Sequence, residues 1–370
     1  MTEMTRNMMA RLGTCILSTL GATILGAPVL AQEPDDSRFA LSPLAGPAPA
    51  TPQIDEEAVR FYLDHVAAPL AQARERYSGG VPYTLEVEQS LGGVCRSALR
   101  FPSAAGNSED DQIHALLFAP DPPPEQRGPG LVLLHHLRDD VTIESMVATW
   151  FAQHGIHVVL MYMPGYGPRR APGRSKLIES DLGRLERSMA QAVLDVHATR
   201  DWLRHQPQVD PARLSQMGVS LGALISSIAL GMDPGTTGPN LLLLGGGDLT
   251  TILYTESRYT RRLVQDFRAQ GLTQAEVRAR LLRLDPLTWA SRVPRDSVSV
   301  FNVRQDEVIP MECTRALIER LPGRVTESWY SGSHIGLAFY LPSVLRSCGE
   351  LLLTPVDPAA SRTEDENPLP

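Results

Sequence analysis

The sequence predicts an α/β protein: a mostly parallel, twisted sheet with helices on both faces. Short apolar runs, typical of buried strands, alternate with helical segments from about residue 130 onward. A Gly-Val-Ser-Leu-Gly pentapeptide, 218–222, follows one of these strands and opens a helix. The 370 residues are enough for one large domain of this class with additions.

The elements are predicted in order along the chain. A helix at 54–77 precedes three opening strands, at 83–89, 94–102 and 112–119. The alternating part then has strands at 130–134, 156–163, 213–218, 240–244, 297–303 and 324–330. Its helices are predicted at 145–154, 185–206, 221–232, 313–321 and 337–353. A helical insertion, 249–284, follows the strand after the pentapeptide.

The N-terminal segment has the pattern of a secretory signal peptide. Arg6 and Arg11 lead into an apolar run, 12–25, and small residues precede a cleavage point after Ala31. A membrane anchor is the alternative, but the run is short and interrupted by polar residues and Gly. We therefore expect a secreted or periplasmic protein without stable membrane insertion after cleavage.

The remaining regions divide into a lead-in, a domain and a tail. Residues 32–53 are rich in Pro, Ala and Ser, which predicts a flexible lead-in. The domain is expected at 54–353, and the polar tail, 354–370, is expected to be disordered. The formal charge of −8 argues against nucleic-acid binding. Cys95, Cys313 and Cys348 allow one disulfide, and the sequence does not choose the pair.

Ser220 is the candidate nucleophile. A Gly-x-Ser-x-Gly between a strand and a helix is typical of a sharp turn that lifts the serine hydroxyl above the sheet. Serine is a weak nucleophile at neutral pH, so it needs a histidine base, and the histidine needs a carboxylate partner. Downstream of Ser220, the chain offers an acid and then a histidine, each in a loop that follows a strand.

Asp306 is the expected acid and His334 the expected base. Asp306 follows the strand 297–303, although a turn Asp that caps the next helix is the alternative interpretation. Asp248, one strand earlier, is the rival acid, and Glu307 is expected to point elsewhere. His334 lies in a Gly/Ser loop after the last strand, where its imidazole can reach Ser220; a surface histidine is the alternative.

Two backbone N–H groups are needed to stabilise an oxyanion. Leu221, directly after the nucleophile, is expected to supply one. The loop after the strand 130–134 supplies the other, from Leu137 or, second, His136. A metal site at His135 and His136 is disfavoured, since no third ligand has suitable spacing.

Together these residues resemble a serine hydrolase of the α/β-hydrolase superfamily, nearest to the dienelactone hydrolase and acetyl-xylan-esterase-like branch. The resemblance covers roughly 83–353 and is carried by 133–136, 201–203 with 209–213, 218–222, 306–310 and 332–334. Two positions depart from the pattern. His136 stands where the family often has Gly, and Ser220 stands where dienelactone hydrolases have cysteine.

The resemblance implies two-step acyl transfer on carboxylic esters, without a cofactor, with a small-molecule or carbohydrate ester as substrate. A serine peptidase or amidase of the prolyl-oligopeptidase type is the enzymatic alternative. Such enzymes usually have a second Gly where this chain has Ala223, and they often have an N-terminal propeller, for which the segment here is too short. A non-catalytic binding protein with this fold is the alternative outside enzymes.

The insertion is a candidate lid. Its apolar residues are expected either to cover Ser220 or to pack on the domain: Val264, Phe267, Leu272, Val277 and Leu281. Its arginines are expected either to attract an anion or to form a solvated helix face: Arg258, Arg261, Arg262, Arg268, Arg278, Arg280 and Arg283. The same two interpretations apply to Arg169, Arg170 and Arg174.

Overall fold

The computed structural model describes residues 40–41, 56–78, 80–105, 111–170, 177–233 and 235–354. These residues belong to a single compact unit that begins at Ser37. The predicted signal peptide, 1–31, most of the lead-in and the tail after residue 354 lie outside the described residues.

Ten strands form one sheet within the described residues, in the order β1-β10-β9-β8-β7-β5-β6-β4-β3-β2. Strands β5 to β10 run parallel to their neighbours among themselves, while β1 and β2 to β4 pair antiparallel. The strands are β1 Ala40–Leu41, β2 Thr84–Leu91, β3 Val94–Pro102, β4 Gln112–Pro120, β5 Gly128–Leu134, β6 His157–Met161, β7 Val209–Val219, β8 Asn240–Leu243, β9 Val298–Val303 and β10 Thr326–Tyr330. The predicted parallel α/β sheet is confirmed.

Eleven α-helices accompany the sheet in the part of the chain that is described. They are α1 Glu56–Tyr62, α2 Ala68–Arg76, α3 Thr142–Gln153, α4 Leu182–Arg204, α5 Leu221–Met232, α6 Leu249–Tyr254, α7 Arg261–Ala269, α8 Gln274–Leu281, α9 Pro286–Trp289, α10 Met311–Arg320 and α11 Leu341–Leu353. The longest of them, α4, has a side-chain cap: Asp181 accepts a hydrogen bond from the Arg184 N–H at 2.9 Å.

The central strands are apolar because they are covered on both faces. Every residue of β5, β6, β8 and β9 is buried. Val132 and Leu134 of β5 join a large apolar core with residues of α4 and α5. Helix α3 packs against β4 and β6, and α11 packs against α3. The parallel strands therefore present their carboxyl ends at one common edge, where loops can carry functional residues.

Several predicted boundaries differ from the structure. The predicted helix 54–77 contains a π-helical turn, Leu63–Ala67, between α1 and α2. The last helix begins at Leu341 instead of residue 337, because a 3₁₀ segment, Ile335–Tyr340, precedes it. The insertion consists of α6, α7 and α8 and ends in a 3₁₀ turn, Leu282–Leu284.

The cysteines of the described part are free thiols. Cys95 is half-buried, and Cys313 and Cys348 are buried, so no disulfide joins these three. Burial raises the pKa of Cys313 to about 12 and raises that of Cys348 as well, which keeps both protonated and unreactive. None of the helices built from the described residues is both long and apolar enough to cross a bilayer.

Candidate active site

Ser220 occupies a sharp turn between β7 and α5. Its φ of 53° is unusual for a residue with a side chain and stores backbone strain of about 1–3 kcal/mol. Neighbouring bonds hold the turn: the Ser220 N–H donates to the Leu243 carbonyl at 2.8 Å, and the Ser220 carbonyl accepts from the Ala223 N–H at 2.8 Å. The predicted strand–turn–helix setting of the serine is therefore present.

Two glycines let the strand, the turn and the helix approach one another. A Cβ on Gly218 would collide with the backbone of Gly222. A Cβ on Gly222 would lie 2.5 Å from the Leu134 carbonyl oxygen and 2.7 Å from that of His135. The sequence needs Gly at both positions because a side chain at either one has no space.

Ser220, His334 and Asp306 form one chain of hydrogen bonds. The His334 Nε2 atom lies 2.9 Å from the Ser220 Oγ atom, and Nδ1 lies 2.8 Å from Oδ2 of Asp306. Since a carboxylate only accepts, Nδ1 carries the proton, and Nε2 is free to accept the serine proton. Ser220 and His334 are each only 8% exposed, so these hydrogen bonds are largely shielded from solvent.

The Asp306 loop is fixed by its own backbone and by the histidine loop. Oδ1 of Asp306 accepts from the N–H groups of Val308 and Ile309, each at 2.8 Å. The sequence predicts that Glu307 points elsewhere. In the structure it instead faces the histidine loop, where its Oε2 atom accepts from the His334 N–H at 2.9 Å. The two neighbouring acids thus bind the side chain and the backbone of one histidine.

The rival acid, Asp248, has other partners. It caps α6, accepting from the Thr251 N–H at 3.1 Å, and forms an ion pair with Arg278 at 2.5 Å. Burial favours its neutral form, but the bonds from Arg278 and Thr251 outweigh burial and lower the pKa of the Asp248 carboxyl. The carboxylate that contacts His334 in the structure is that of Asp306, not that of Asp248.

The loop after β5 contains two candidate oxyanion donors, His136 and Leu137, and they differ in their hydrogen bonding. The N–H of His136, the second-choice donor, donates to Oε1 of Glu144 at 3.0 Å and so already has an acceptor in the structure. Leu137 follows it and is half-buried against the core. Leu221 is the first residue of α5, and its N–H has no acceptor within the helix.

Both histidines after β5 have protein partners. In the buried His135, Nδ1–H donates to the His136 carbonyl at 2.6 Å and Nε2 accepts from the Met163 N–H at 3.1 Å. Burial lowers the pKa of His135, so the ring is neutral. Nδ1 of His136 lies 2.6 Å from the Glu144 carboxylate. Within the described residues, no group of three His, Cys, Asp or Glu side chains could hold a metal ion.

The apolar residues of the insertion are used in packing. Val264, Phe267, Val277 and Leu281 are buried, and Leu272 is half-buried against the core. Phe267, Val277 and Leu281 belong to the same core cluster as residues of α4 and α5. Of the two interpretations of these side chains, packing on the domain is the one that the structure supports.

Most arginines of the insertion are paired within the chain. Arg280 forms a forked ion pair with the buried Glu186 of α4, and Arg283 pairs with Glu57 at 2.8 Å. Arg268 pairs with Glu256 at 2.5 Å. Arg280 and Arg283 therefore join the insertion to α4 and α1, whereas Arg268 pairs within the insertion; in all three cases a carboxylate of the chain balances the charge.

The arginines after β6 are paired in the same way. Arg169 is buried and forms an ion pair with Asp195 at 2.7 Å, and Arg170 pairs with Asp139 at 3.1 Å. Arg174 lies outside the described residues.

Comparison with solved structures identifies the fold. Acetyl xylan esterase 1 from Thermoanaerobacterium sp. JW/SL YS485 is similar with a TM-score of 0.64 and 17% identity, over 82% of this chain and 96% of that one. The acetyl xylan esterase from Paenibacillus sp. R4 has a TM-score of 0.64 and 18% identity, over 81% and 96% of the two chains. The chain has the α/β-hydrolase fold. This fold carries the serine turn, the acid loop and the histidine loop at the carboxyl edge of its sheet, as found here.

A peptidase shares this α/β-hydrolase fold. Pyrococcus horikoshii acylaminoacyl peptidase is similar with a TM-score of 0.53 and 15% identity, over 75% of this chain and 49% of that one. No family model matches the sequence, and no curated protein sequence matches it.

Proposed function

We propose that this chain is a serine hydrolase of carboxylic esters and that Ser220, His334 and Asp306 are its catalytic triad. The observation that carries the proposal is the unbroken hydrogen-bond chain from the Ser220 hydroxyl through His334 to Asp306. A buried serine, histidine and carboxylate in this geometry can activate the hydroxyl for attack on a carbonyl. The two acetyl xylan esterases of the same fold support esters as the substrate class.

The proposed reaction has two acyl-transfer steps. The Ser220 Oγ atom bonds to the ester carbonyl carbon while its proton moves to Nε2 of His334. The carbonyl electrons move to the oxygen, which the N–H groups of Leu221 and Leu137 stabilise until the C–O bond to the alcohol breaks. His334 gives its proton to the leaving alcohol. Water then repeats the sequence on the acyl-enzyme, so these steps use only protein groups and water.

Asp306 keeps the histidine ready for both proton transfers. Its carboxylate holds the proton on Nδ1 and stabilises the imidazolium that forms when Nε2 is protonated. Because Val308 and Ile309 each donate a backbone N–H to the same carboxylate, its position does not depend on the histidine alone. The two acetyl xylan esterases of the same fold favour a short acyl group, such as acetyl, as part of the substrate.

Hydrolysis of p-nitrophenyl esters from acetate to palmitate tests this proposal. We expect turnover that is greatest on the shortest chains and that is lost in Ser220→Ala. A maximum at long chains would contradict the preference for short acyl groups. The peptidase alternative, which the acylaminoacyl peptidase of the same fold favours, predicts cleavage of acylated amino-acid p-nitroanilides in preference to esters.

We also propose that the mature enzyme is secreted or periplasmic. The support is the basic and then apolar pattern of residues 1–31 with small residues before Gln32. N-terminal sequencing of the protein from a bacterial host tests it. A mature N-terminus at Gln32 in the extracellular or periplasmic fraction is expected, and an uncleaved protein in the cytosol would contradict it.

A further inference from the structure

Glu144 is a buried carboxylate beside the candidate site. It lies in α3 and is 1% exposed. Its Oε1 atom accepts from the backbone N–H of His136 at 3.0 Å and lies 2.6 Å from Nδ1 of the same residue. One carboxylate oxygen therefore holds both the main chain and the ring of His136.

The contacts of Glu144 imply that it is ionised. Burial alone would raise the pKa of its carboxyl, but the hydrogen bonds from His136 outweigh burial and lower it. The second oxygen, Oε2, has no hydrogen-bond partner within the described residues. A charge in such a desolvated position is costly unless it is paired, and His136 is the residue that pairs with it.

The peptide groups of His136 are engaged on both sides. Its carbonyl accepts from the Arg138 N–H at 2.8 Å and from Nδ1–H of His135 at 2.6 Å, while its N–H goes to Glu144. The next N–H along the chain, that of Leu137, lies in the same peptide plane as the His136 carbonyl, so the two bonds to this carbonyl set the direction of the Leu137 N–H. Glu144 fixes the preceding peptide group, which carries the His136 N–H.

The loop lies next to the nucleophile. In the parallel sheet Leu134 is the register partner of Gly218, two residues before Ser220. The carbonyl oxygens of Leu134 and His135 crowd the space beside Gly222, at the first turn of α5. The segment from His135 to Leu137 therefore leaves the sheet beside the turn that carries Ser220.

From this geometry we propose that Glu144 is a positioning residue, which holds the His136 peptide so that the Leu137 N–H faces the oxyanion formed at Ser220. The inference rests on the proposed function, in which Ser220 is the nucleophile. An oxyanion donor is effective when it is held in place before the charge develops, and a buried, ionised anchor provides that rigidity. His136, where the resembled family often has Gly, supplies the ring that completes the anchor.

Three variants test the role of Glu144: Glu144→Ala, Glu144→Gln and the control Asp140→Ala. Asp140 accepts from the Thr142 N–H at 2.9 Å at the start of the same helix, so its loss removes a hydrogen bond of α3 but leaves both bonds between Glu144 and His136 in place. With p-nitrophenyl acetate, we expect kcat of Glu144→Ala to fall about 10- to 100-fold, less than the loss of a whole oxyanion donor, with KM within about twofold of the wild type. Glu144→Gln, which keeps an acceptor for the His136 N–H, should be intermediate, and Asp140→Ala should match the wild type.

The inference is overturned if Glu144→Ala and Asp140→Ala have the same kcat, or if Glu144→Ala changes KM alone. Such results would leave the proposed ester hydrolysis in place, provided that the wild type is active and Ser220→Ala is not. These measurements therefore distinguish a failure of the positioning role of Glu144 from a failure of the proposed ester hydrolysis.

A second readout does not need ester turnover. A fluorophosphonate reacts when the Ser220 Oγ atom bonds to phosphorus, fluoride leaves and His334 takes the proton, with the phosphoryl oxygen in the oxyanion site. We expect labelling of Glu144→Ala to be at least about tenfold slower than that of Asp140→Ala. Equal rates overturn the inference even if the wild type hydrolyses no ester. A wild type that neither hydrolyses esters nor becomes labelled overturns both proposals.

Discussion

Leu134 at the end of β5 and Gly218 in β7 are register partners in the parallel sheet. Both strands therefore end at the same level, and the loop after β5 emerges beside the turn that holds Ser220. The close approach depends on Gly222, where a Cβ would lie 2.5 Å from the Leu134 carbonyl oxygen. This pairing places the two proposed oxyanion donors, Leu137 and Leu221, a few residues beyond the ends of two adjacent strands.

Gly222→Ala is expected to destabilise the fold by about 1–3 kcal/mol and to reduce kcat, because the added methyl group has to displace backbone at the end of β5. Denaturant unfolding and p-nitrophenyl acetate turnover measure the two effects. Gly183→Ala is the matched control, since its Cβ would first meet the flexible Arg187 side chain at 3.4 Å. Equal stability and activity of the two variants would show that the close approach is not required.

Asp306→Asn is expected to lower kcat about ten-thousandfold, because the amide no longer holds the proton on Nδ1 of His334. Asp248→Asn should retain kcat close to the wild type, since Asp248 pairs with Arg278 and caps α6. The kcat values of both variants, measured by steady-state kinetics, show which of the two aspartates is the acid of the triad. The opposite ranking would show that the acid is Asp248.

Glu186→Ala is expected to loosen the insertion. The carboxylate is 7% exposed and receives a forked ion pair from Arg280, so its loss leaves that arginine without its partner. Because Arg280 is 44% exposed, we expect a loss of about 2 kcal/mol in the free energy of unfolding, not the larger cost of a fully buried pair. Limited proteolysis should cut within α7 and α8 sooner. Arg262→Ala, an exposed change in the same insertion, is the control and should behave as the wild type.

Acid is expected to destabilise the protein partly through His197. Burial lowers the pKa of this fully buried imidazole to about 4, while its Nε2–H donates to the Ala229 carbonyl at 2.9 Å. Between the unfolded pKa of about 6.5 and the folded value, only the unfolded chain takes up the proton. The contribution of His197 to the free energy of unfolding is therefore complete above about pH 6.5. It falls as pH drops toward 4, by about 3 kcal/mol at most.

His197→Gln tests this prediction, because glutamine retains a donor for the Ala229 carbonyl and does not titrate. Urea unfolding between pH 7 and pH 4 should give a shallower loss of stability for His197→Gln than for the wild type. Parallel curves would mean that His197 does not contribute to the acid sensitivity.

The meeting of Ser220, His334 and Asp306 was predictable because each residue follows a strand of one parallel sheet. Parallel strands end at a common edge, so local sequence patterns were enough to bring distant residues together. The same reasoning predicted a mostly parallel sheet and the positions of its strands along the chain, but not the π-helical turn at Leu63–Ala67, which no local signal marks.

Side-chain partners were harder to predict than backbone positions. Asp248 follows a strand as Asp306 does, but in the structure it pairs with Arg278, thirty residues further on, a contact that no local pattern indicates. The role proposed for Glu144 depends on its two hydrogen bonds to His136 in the loop after β5, which the spacing of the two residues along the chain does not reveal. Likewise, Arg280 and Arg283 of the insertion form ion pairs with Glu186 of α4 and Glu57 of α1. These tertiary contacts balance the charge of the two arginines, and the sequence alone does not reveal them.

Ser220 is the proposed nucleophile of the acyl-enzyme reaction. The most direct test of this role is rapid acid quenching of the enzyme with p-nitrophenyl acetate, followed by peptide mass spectrometry. We predict one acetyl group on the peptide that contains Ser220, and none on that peptide in Ser220→Ala. Wild-type turnover without acetylation of Ser220, or turnover that survives in Ser220→Ala, would contradict the account.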